Sequence, residues 1–201
     1  MQDSIHDAFV EKLLNVARTA RMGDPMSADT QVGPVTTPPQ YEKVLEYIAI
    51  AREEGATVVL GGGKGDAPEC GNGWFVQPTI FTGVRNDMRI AQEEVFGPVL
   101  AVIRFRDEAD ALRIANDVRF GLAAAVWTQD IGRAIRMSER LQAGTVWINT
   151  YRAVSFMAPF GGYKDSGLGR ENGIDAVREY SHTKTVWINS GAVASNPFVM
   201  R

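Results

Sequence analysis

Residues 99–148 decide the fold: VLAVIRFRDEADALRIANDVRFGLAAAVWTQDIGRAIRMSERLQAGTVWI. Three largely apolar runs alternate here with two segments of helical character, and an aspartate stands in the capping position before each helical segment. Continuous apolar strands that alternate with helices are typical of a parallel sheet covered on both faces. The sequence therefore predicts an α/β fold, a parallel sheet built from β-α-β units with flanking helices. The predicted strands are Val99–Phe105, Leu122–Trp127 and Thr145–Ile148.

The residues before this segment add two helices to the prediction. Apolar residues recur at helical spacing from Ile5 to Ala20, and Ser4 is the expected cap. A second helix is expected after Thr37, because a threonine followed by two prolines and Gln40 is a helix-start pattern. Gly55 is expected to end it.

The loop after the third predicted strand is rich in aromatic side chains. Ligands of open α/β sheets bind beyond the carboxyl ends of the strands, which singles out residues 149–163. This loop includes Tyr151, Phe156, Phe160 and Tyr163. A loop of this composition forms either the apolar wall of a pocket or a buried interface, and the sequence leaves both interpretations open.

Composition excludes several classes of protein. The 201 residues carry a net charge of −3, so no general basic field exists to hold nucleic acid or an anionic membrane surface. A single cysteine excludes a disulfide framework and suits a reducing compartment. No basic and apolar signal region follows Met1, and the longest apolar run is far too short to span a bilayer. The sequence therefore predicts a cytoplasmic protein with no nucleic-acid or membrane partner.

Metal binding and hydrolase chemistry have little support in the sequence. The two histidines, His6 and His182, and the one cysteine, Cys70, show none of the known metal-ligand spacings. We expect both histidines at the surface and Cys70 in an exposed loop, where Glu69 is the wrong neighbour for a thiolate. Ser166 lacks the nucleophile-elbow pattern of a hydrolase. No metal site is therefore predicted.

Two adjacent carboxylates, Glu93 and Glu94, precede the first of the three apolar runs. Phe96, Gly97 and Pro98 follow them closely and restrict the backbone. In an extended backbone, neighbouring side chains point to opposite sides, so one carboxylate can face inward. An inward carboxylate near a sheet could accept hydrogen bonds from sugar hydroxyls. A pair of solvated charges fits the same spacing, and the residues by themselves leave both interpretations open.

Several stretches together resemble the aldehyde dehydrogenase superfamily. Glu93–Val99 (EEVFGPV) and Ala158–Glu171 (APFGGYKDSGLGRE) resemble two signatures of that superfamily. Gln31–Pro34, Phe75–Phe81 and Gly144–Asn149 also match, in the family's order and approximate spacing. The resemblance covers essentially the whole chain and indicates the C-terminal portion of an aldehyde dehydrogenase. It implies a Rossmann-like cofactor domain, an α/β catalytic domain and a β arm for oligomerisation.

The resemblance implies a site for NAD or NADP at four residues. Glu94 matches the glutamate that binds the hydroxyls of the nicotinamide ribose, and Phe96 matches the aromatic residue beside that ribose. Gln40 and Lys43 match positions that reach toward the adenosine end of the cofactor. The resemblance does not choose between NAD and NADP, because the residue that meets the ribose 2′-position would lie upstream of this chain.

The end of the chain is predicted to take part in assembly. Lys184–Asn189 is interpreted as an edge strand with which a second chain could pair, and it resembles the family's oligomerisation strand. We therefore expect a homo-oligomer. The predicted organisation is a partial α/β catalytic domain at 1–182, an oligomerisation arm strand at 183–190 and a tail at 191–201.

The resemblance also bears on the substrate and the nucleophile. Phe160 resembles an aromatic residue of the family's substrate tunnel, and Val154 occupies a tunnel-wall position, so an aldehyde is the expected substrate. The family's nucleophile is a cysteine in a Gly-Gln-x-Cys motif, which the resemblance places just upstream of Met1. Cys70 does not substitute for it, and the general-base glutamate would also lie upstream.

The implied reaction is the NAD(P)-dependent oxidation of an aldehyde to a carboxylic acid through a cysteine thiohemiacetal and a thioester. Because the nucleophile and the general base would lie outside this chain, no catalytic residue is predicted within it, and we expect the chain alone to be inactive. Two alternatives stay open. The chain could be a non-catalytic oligomerisation or interaction module that retains the family surface, or part of a related reductase of acyl phosphates or acyl thioesters.

Overall fold

Short strands and helices alternate along the chain. The computed structural model describes residues 1–191 and residue 198. The helices are α1 (His6–Ala17), α2 (Pro38–Glu53), α3 (Arg89–Gln92), α4 (Glu108–Asn116), α5 (Ile131–Arg140) and α6 (Asp175–Glu179). The strands are β1 (Thr57–Leu60), β2 (Thr79–Thr82), β3 (Val99–Ala101), β4 (Phe120–Gly121), β5 (Ala123–Val126), β6 (Thr145–Ile148) and β7 (Tyr163–Lys164).

Within the described ranges the strands form three small sheets. In the first sheet, β1 pairs antiparallel with β2, and β2 pairs parallel with β3. In the second sheet, β4 pairs antiparallel with β7. In the third sheet, β5 pairs parallel with β6, with Ala123 opposite Thr145 and Val126 opposite Ile148. The α/β class is confirmed, and β5, α5 and β6 form a β-α-β unit.

The prediction that one parallel sheet contains all three apolar runs is wrong. The first run forms a strand only over Val99–Ala101, and this strand joins β2 instead of β5. The N–H of Phe105 donates to the carbonyl of Met1 at 3.0 Å, and the N–H of Asp3 donates to the carbonyl of Phe105 at 2.9 Å. The start of the chain thus occupies backbone groups of the first run that a neighbouring strand would need.

Both predicted aspartate caps are present. The carboxylate of Asp107 accepts the N–H of Asp110 at 2.9 Å, and that of Asp130 accepts the N–H of Arg133 at 3.0 Å. Each bond satisfies a backbone donor that the first turn of a helix leaves unpaired. The two capped helices, α4 and α5, pack together with β5 and β6 through a cluster of their own, centred on Leu112, Met137 and Leu141.

Helix α2 lies at the centre of the largest apolar cluster. Its residues Val44 and Ile48 are fully buried in one cluster with Phe81 of β2 and Met88, the residue before α3. Close packing of this kind fixes the rotation of a helix about its axis. The polar side chains that leave α2 beside this buried stripe are therefore held at fixed positions.

The first helix is rotated relative to the prediction. α1 begins at His6, after a 3-10 turn at Asp3–Ile5, so Ser4 is not its cap. The buried residues of α1 are His6 and Val10, whereas Phe9 of the predicted stripe is exposed. The apolar spacing had indicated a helix correctly but not the face that it buries.

Charged groups lie beside the buried side chain of His6. Arg104 lies 2.8 Å from a carboxylate oxygen of Asp3 and 2.5 Å from one of Asp7. The Nδ1 of His6 lies 2.8 Å from the same oxygen of Asp7. The hydrogen bonds from His6 and Arg104 lower the pKa of the Asp7 carboxyl. The prediction of a surface His6 is therefore wrong: the ring is buried, Asp7 provides a partner for Nδ1, and Nε2 has no hydrogen-bond partner among the described residues.

The predicted strand at Lys184–Asn189 is not formed within this chain. A strand is defined by hydrogen bonds to a neighbour, and no described residue pairs with this segment. The side chain of Trp187 is 92% exposed. The predicted tail at 191–201 lies outside the described residues except for Gly191 and Phe198. In the part of the chain that is described, no helix combines the length and the apolar character needed to cross a membrane.

The central position of Phe81 can be tested by truncation. Phe81→Ala is expected to lower the free energy of unfolding by about 3–5 kcal/mol, because it removes a fully buried ring and leaves a cavity. Urea unfolding followed by circular dichroism measures the change. Phe156→Ala is the matched control, since Phe156 is 80% exposed, and a change within about 0.5 kcal/mol is expected there. Equal losses for both variants would contradict the assignment of the core.

Candidate functional site

The segment Glu93–Gly97, called here loop 93–97, connects α3 to β3 and is held by side chains of α2. The amide Nε2 of Gln40 donates to the carbonyls of Val95 at 2.8 Å and Phe96 at 2.9 Å. The ammonium of Lys43 donates to the carbonyl of Glu94 at 2.8 Å. Residues three or four apart in a helix share a face, so the two donors reach three successive carbonyls from one side of α2.

Glu93 is the carboxylate of the pair that turns back toward the protein. Both of its oxygens accept from Arg89, with Nε 3.0 Å from Oε1 and Nη2 2.8 Å from Oε2. It also accepts the hydroxyl of Tyr47. The hydrogen bonds from Arg89 and Tyr47 lower the pKa of Glu93 to about 2, and the pKa of the Tyr47 hydroxyl is raised, chiefly by its hydrogen bond to Glu93. Glu93 is thus a charged group with its hydrogen-bond acceptors already used.

Glu94 and Phe96 present their side chains to solvent. The carboxylate of Glu94 makes no hydrogen bond or ion pair within residues 1–191, while the carbonyl of the same residue is bound by Lys43. Phe96 is 74% exposed, and its φ of 55° lies in the left-handed region, which is unusual for a non-glycine residue. The sequence left open whether an inward carboxylate or a solvated pair is present at Glu93 and Glu94. The structure places the free one outward, because Arg89 and Tyr47 engage the inward one.

The four residues predicted to bind the cofactor meet at this loop. Gln40 and Lys43 come from α2, and Glu94 and Phe96 come from the loop itself. Tyr47 and Arg89 were missed by the sequence analysis. A signal for Tyr47 was available, because it lies four residues after Lys43 and seven after Gln40, on the same helix face.

The two residues predicted to bind the substrate lie in a separate part of the chain. Phe160 is partly buried, and its N–H and carbonyl pair with the carbonyl and N–H of Glu171, both at 2.7 Å. Val154 is exposed. Within the described residues no hydrogen bond joins the aromatic loop 149–163 directly to loop 93–97. The structure therefore leaves the pocket-wall role of these residues a prediction.

One short segment connects the two regions indirectly. Gln92, which directly precedes loop 93–97, donates from Nε2 to the carbonyl of Asp117 at 2.8 Å. Lys164 donates from its ammonium to the carbonyls of Asn116 at 2.6 Å and Val118 at 2.9 Å. Residues 116–118 thus receive hydrogen bonds from the residue that precedes loop 93–97 and from the segment that follows the aromatic loop.

Asn149 joins the start of the aromatic loop to Thr128, two residues after β5. Its side-chain amide donates to the carbonyl of Thr128 and its Oδ1 accepts the N–H of Thr128, both at 2.8 Å. Trp147 donates from its indole to the carbonyl of Ala153 at 2.8 Å and meets Tyr151 edge to face, with ring centroids 5.8 Å apart. Phe156 and Met157 remain exposed. The loop thus exposes apolar side chains, while hydrogen bonds hold its first residues in place.

Cys70 is buried, and the prediction of an exposed loop thiol is wrong. It closes a 3-10 turn at Pro68–Cys70, and its N–H donates to the carbonyl of Ala67 at 2.9 Å. Burial raises the pKa of the thiol, and the nearby carboxylates Glu69 and Asp66 raise it further. A thiol of this kind is a poor nucleophile at neutral pH. Across the residues that the structure describes, no group of three His, Cys, Asp or Glu side chains is arranged to hold a metal ion.

The match to known sequences settles the family. The model of the aldehyde dehydrogenase family matches residues 1–186. The chain belongs to the aldehyde dehydrogenase family. The site described above is therefore the corresponding part of an aldehyde dehydrogenase fold, and loop 93–97 lies within the matched residues.

Curated relatives are longer than this aldehyde dehydrogenase chain. A betaine aldehyde dehydrogenase of Mesorhizobium japonicum is 46% identical over 195 residues, which are 97% of this chain and 40% of the relative. An aldehyde dehydrogenase of Emericella nidulans is 47% identical over 95% of this chain and 38% of its own length. The chain thus spans about two fifths of the length of these relatives.

Solved structures of a betaine aldehyde dehydrogenase from Staphylococcus aureus have the same fold. One, in complex with NAD+, is 43% identical and superposes with a TM-score of 0.87, covering 89% of this chain and 36% of that one. Another, a P449M mutant in complex with NAD+, is 41% identical with a TM-score of 0.91, over 99% of this chain and 40% of that one. The NAD+ belongs to those enzymes.

The close contact between loop 93–97 and α2 can be tested at Gly97. A Cβ at this position would lie 2.5 Å from a methyl carbon of Val44, which is fully buried and stiff. Gly97→Ala is therefore expected to lower the free energy of unfolding by about 1–3 kcal/mol through overpacking. Gly33→Ala is the matched control, because its Cβ would meet only Pro25 at 3.9 Å. A neutral Gly97→Ala in chemical denaturation would show that the loop does not rest on α2.

The burial of Cys70 can be tested by thiol labelling. Since the chain has one cysteine, any absorbance change with a disulfide reagent reports on Cys70 alone. We expect slow labelling of the folded chain at pH 8 and complete labelling after unfolding, because burial and a raised pKa both suppress the thiolate. Transfer of the thiol to an exposed site, Cys70→Ala with Ser27→Cys, is the control and should label quickly. Rapid labelling of the unaltered folded chain would contradict the description of this turn.

Proposed function

We propose that this chain supplies the nicotinamide-ribose contact and part of the substrate wall of an NAD(P)-dependent aldehyde dehydrogenase that oxidises an aldehyde to a carboxylic acid. The observation that carries the proposal is the convergence of Gln40, Lys43, Glu94 and Phe96 on one loop. The NAD+ complexes of similar enzymes support the choice of cofactor.

The residues at loop 93–97 fit a ribose. An ionised carboxylate accepts hydrogen bonds from two neighbouring hydroxyls, and Glu94 has no competing partner within residues 1–191. The exposed ring of Phe96 lies two residues further and offers an apolar face beside the sugar. When it is bound, the cofactor supplies the hydride acceptor. Glu94 and Phe96 orient it, which converts binding energy into a fixed reaction geometry.

Lys43 and Gln40 are proposed to contribute to cofactor binding in different ways. One donor of the Lys43 ammonium is used on the carbonyl of Glu94, and an ammonium has three donors. The remaining donors are available to the cofactor. Gln40, in contrast, uses its amide group on two carbonyls of the loop. We therefore propose a direct cofactor contact for Lys43 and mainly a loop contact for Gln40.

The covalent steps require groups from outside this chain. In the proposed reaction a cysteine thiolate adds to the aldehyde carbon, hydride leaves the resulting thiohemiacetal, and activated water hydrolyses the thioester to the acid. Cys70 does not meet the requirement for a nucleophile because it is buried with a raised pKa. We propose that the chain alone is inactive and that the nucleophilic cysteine and the general-base glutamate precede the segment matched here.

The substrate wall and the assembly surface complete the proposal. Phe160 and Val154 are proposed to line the aldehyde tunnel, with the exposed apolar side chains of loop 149–163 beside them. Lys184–Asn189 is proposed to pair with a second chain. Its exposed Trp187 and its lack of a partner within the described chain support this. The division at 1–182 and 183–190 and a cytoplasmic location belong to the same proposal.

Two alternatives compete with this proposal. A non-catalytic oligomerisation module would keep the assembly strand without needing a free Glu94 carboxylate. A reductase of acyl phosphates or acyl thioesters would share the fold and the thiol chemistry. The combination of a free Glu94 and an exposed Phe96 favours the dehydrogenase, because a module that only assembles has no use for a solvated carboxylate beside a strained aromatic residue.

NAD+ binding to this chain tests the proposal. By isothermal titration calorimetry, we expect NAD+ to bind the unaltered chain and Glu94→Ala to weaken binding at least about tenfold, since two charge-assisted hydrogen bonds are lost. Glu139→Ala is the matched control on α5, exposed and without a partner among the described residues, and should bind like the unaltered chain. No binding by the unaltered chain, or equal binding by Glu94→Ala, would contradict a ribose site at Glu94.

The reaction class is tested in the reassembled enzyme. The chain is joined in frame behind the N-terminal segment of a betaine aldehyde dehydrogenase relative, and NADH formation is followed at 340 nm with a panel of aldehydes. Reduction that depends on an aldehyde supports the dehydrogenase. Reduction of an acyl thioester by NADPH without aldehyde oxidation would favour the reductase, and no reaction with any substrate would favour the non-catalytic module.

A further inference from the structure

We propose that Tyr47, Arg89 and Glu93 are positioning residues that hold loop 93–97 so that Glu94 and Phe96 face the cofactor. This inference rests on the proposed function, because it concerns the presentation of the residues that would bind the ribose. None of the three is assigned a contact with the cofactor. Their role follows from how they bind one another and the loop.

The direction of the Glu93 side chain is fixed by hydrogen bonds from two residues, Arg89 and Tyr47. Arg89 binds both of its carboxylate oxygens with Nε and Nη2, at 3.0 and 2.8 Å, and the hydroxyl of Tyr47 binds Oε2. A two-pronged contact from a guanidinium constrains orientation as well as distance. The backbone of Glu93 is extended, and neighbouring side chains of an extended backbone point to opposite sides, so holding Glu93 against Tyr47 and Arg89 directs Glu94 away from them.

Arg89 is itself held in place from α2. Its backbone N–H donates to the carboxylate of Glu54 at 2.9 Å, and its guanidinium lies over the ring of Tyr47, 5.1 Å from the centroid. Nη2 of Arg89 also lies 3.3 Å from the hydroxyl of Tyr47. Tyr47 is buried on α2 among the residues of the central apolar cluster. The three positioning residues therefore anchor the loop to the largest apolar cluster of the described chain.

Charge balance gives the cluster a second effect. Two carboxylates in succession repel each other and would favour conformations of the loop that separate them. The guanidinium of Arg89 neutralises Glu93 at ion-pair distance. Glu94 is then the one carboxylate of the loop that lacks an ion-pair partner within the described residues. The two hydroxyls of a ribose would thus donate to one carboxylate, that of Glu94, which is not engaged by any other described residue.

The conformation of Phe96 shows why the loop needs fixing. With φ at 55°, this residue occupies a region that costs energy for any side chain. Such a conformation persists only when surrounding contacts over-determine it. Gln40 supplies two of these contacts and Lys43 one, and the hydrogen bonds of Glu93, three residues earlier, supply the others. Without the second set, the loop is expected to relax and the ring of Phe96 to move.

Loop order is tested first, without any cofactor. Chymotrypsin cleaves after exposed phenylalanines, so cleavage at Phe96 reports on loop 93–97, and cleavage at Phe156 in the same sample is an internal reference. We expect the ratio of the two rates to rise about tenfold in Glu93→Gln and in Tyr47→Phe, a change equal to about 1.4 kcal/mol. The matched controls are Glu139→Gln and Tyr41→Phe, whose side chains make no hydrogen bond among the described residues. Unchanged ratios in all variants would overturn the proposal.

The link to cofactor binding is tested by a double-mutant cycle. As a single substitution, Glu93→Gln is expected to weaken NAD+ binding about tenfold. Added to Glu94→Gln, it is expected to weaken binding less than about threefold, because the two changes act through one contact. A general loss of structure would give the same factor in both backgrounds and overturn the positioning role. If the unaltered chain binds no NAD+, the proposed function fails, and the cleavage ratio still decides whether the cluster orders the loop.

Discussion

Two side chains of helix α2 determine the shape of loop 93–97. Lys43 and Gln40 donate to the carbonyls of three successive residues, Glu94 to Phe96, and the donor from Lys43 carries a full charge. The helix cannot rotate to follow the loop, because Val44 and Ile48 fix it in the largest apolar cluster. The packing of α2 in the core therefore fixes both the rotation of that helix and the conformation of loop 93–97. The outward carboxylate of this aldehyde dehydrogenase chain depends on it.

Local signals in the sequence predicted the elements of the fold, whereas the pairing of distant strands was beyond them. The aspartates Asp107 and Asp130 act within three residues of themselves, so a short pattern is enough to identify them as caps. The partner of Val99–Ala101 is chosen by backbone groups that are far away in the sequence. An apolar run indicates that a strand is buried but does not indicate which strand pairs with it. The strand at Lys184–Asn189 stays a prediction, since its expected partner is a second chain.

The site divides in a similar way. Resemblance identified Gln40, Lys43, Glu94 and Phe96, and the structure brings these four together. The alternation of side chains established that Glu93 and Glu94 diverge but not which of them is free. That choice depends on Tyr47, which is 46 residues away from Glu93 in the sequence, and no spacing rule connects them. Cys70 was misjudged because a glycine-rich surface pattern hid a compact turn that buries the thiol.

The contacts between the start of the chain and Phe105 have a consequence for biosynthesis. Asp3 and Arg104 are 101 residues apart in the sequence, yet their ion pair helps to hold α1. At a translation rate of about 5–20 residues per second, α1 emerges roughly 5–20 s before the segment that holds it. During that interval the apolar face around Val10, Leu13 and Leu14 gains Val59, Leu60 and Ile80 as native neighbours before Val102 emerges. The face is therefore covered in steps as the chain emerges, and the contacts that complete it have the long sequence separation that slows folding.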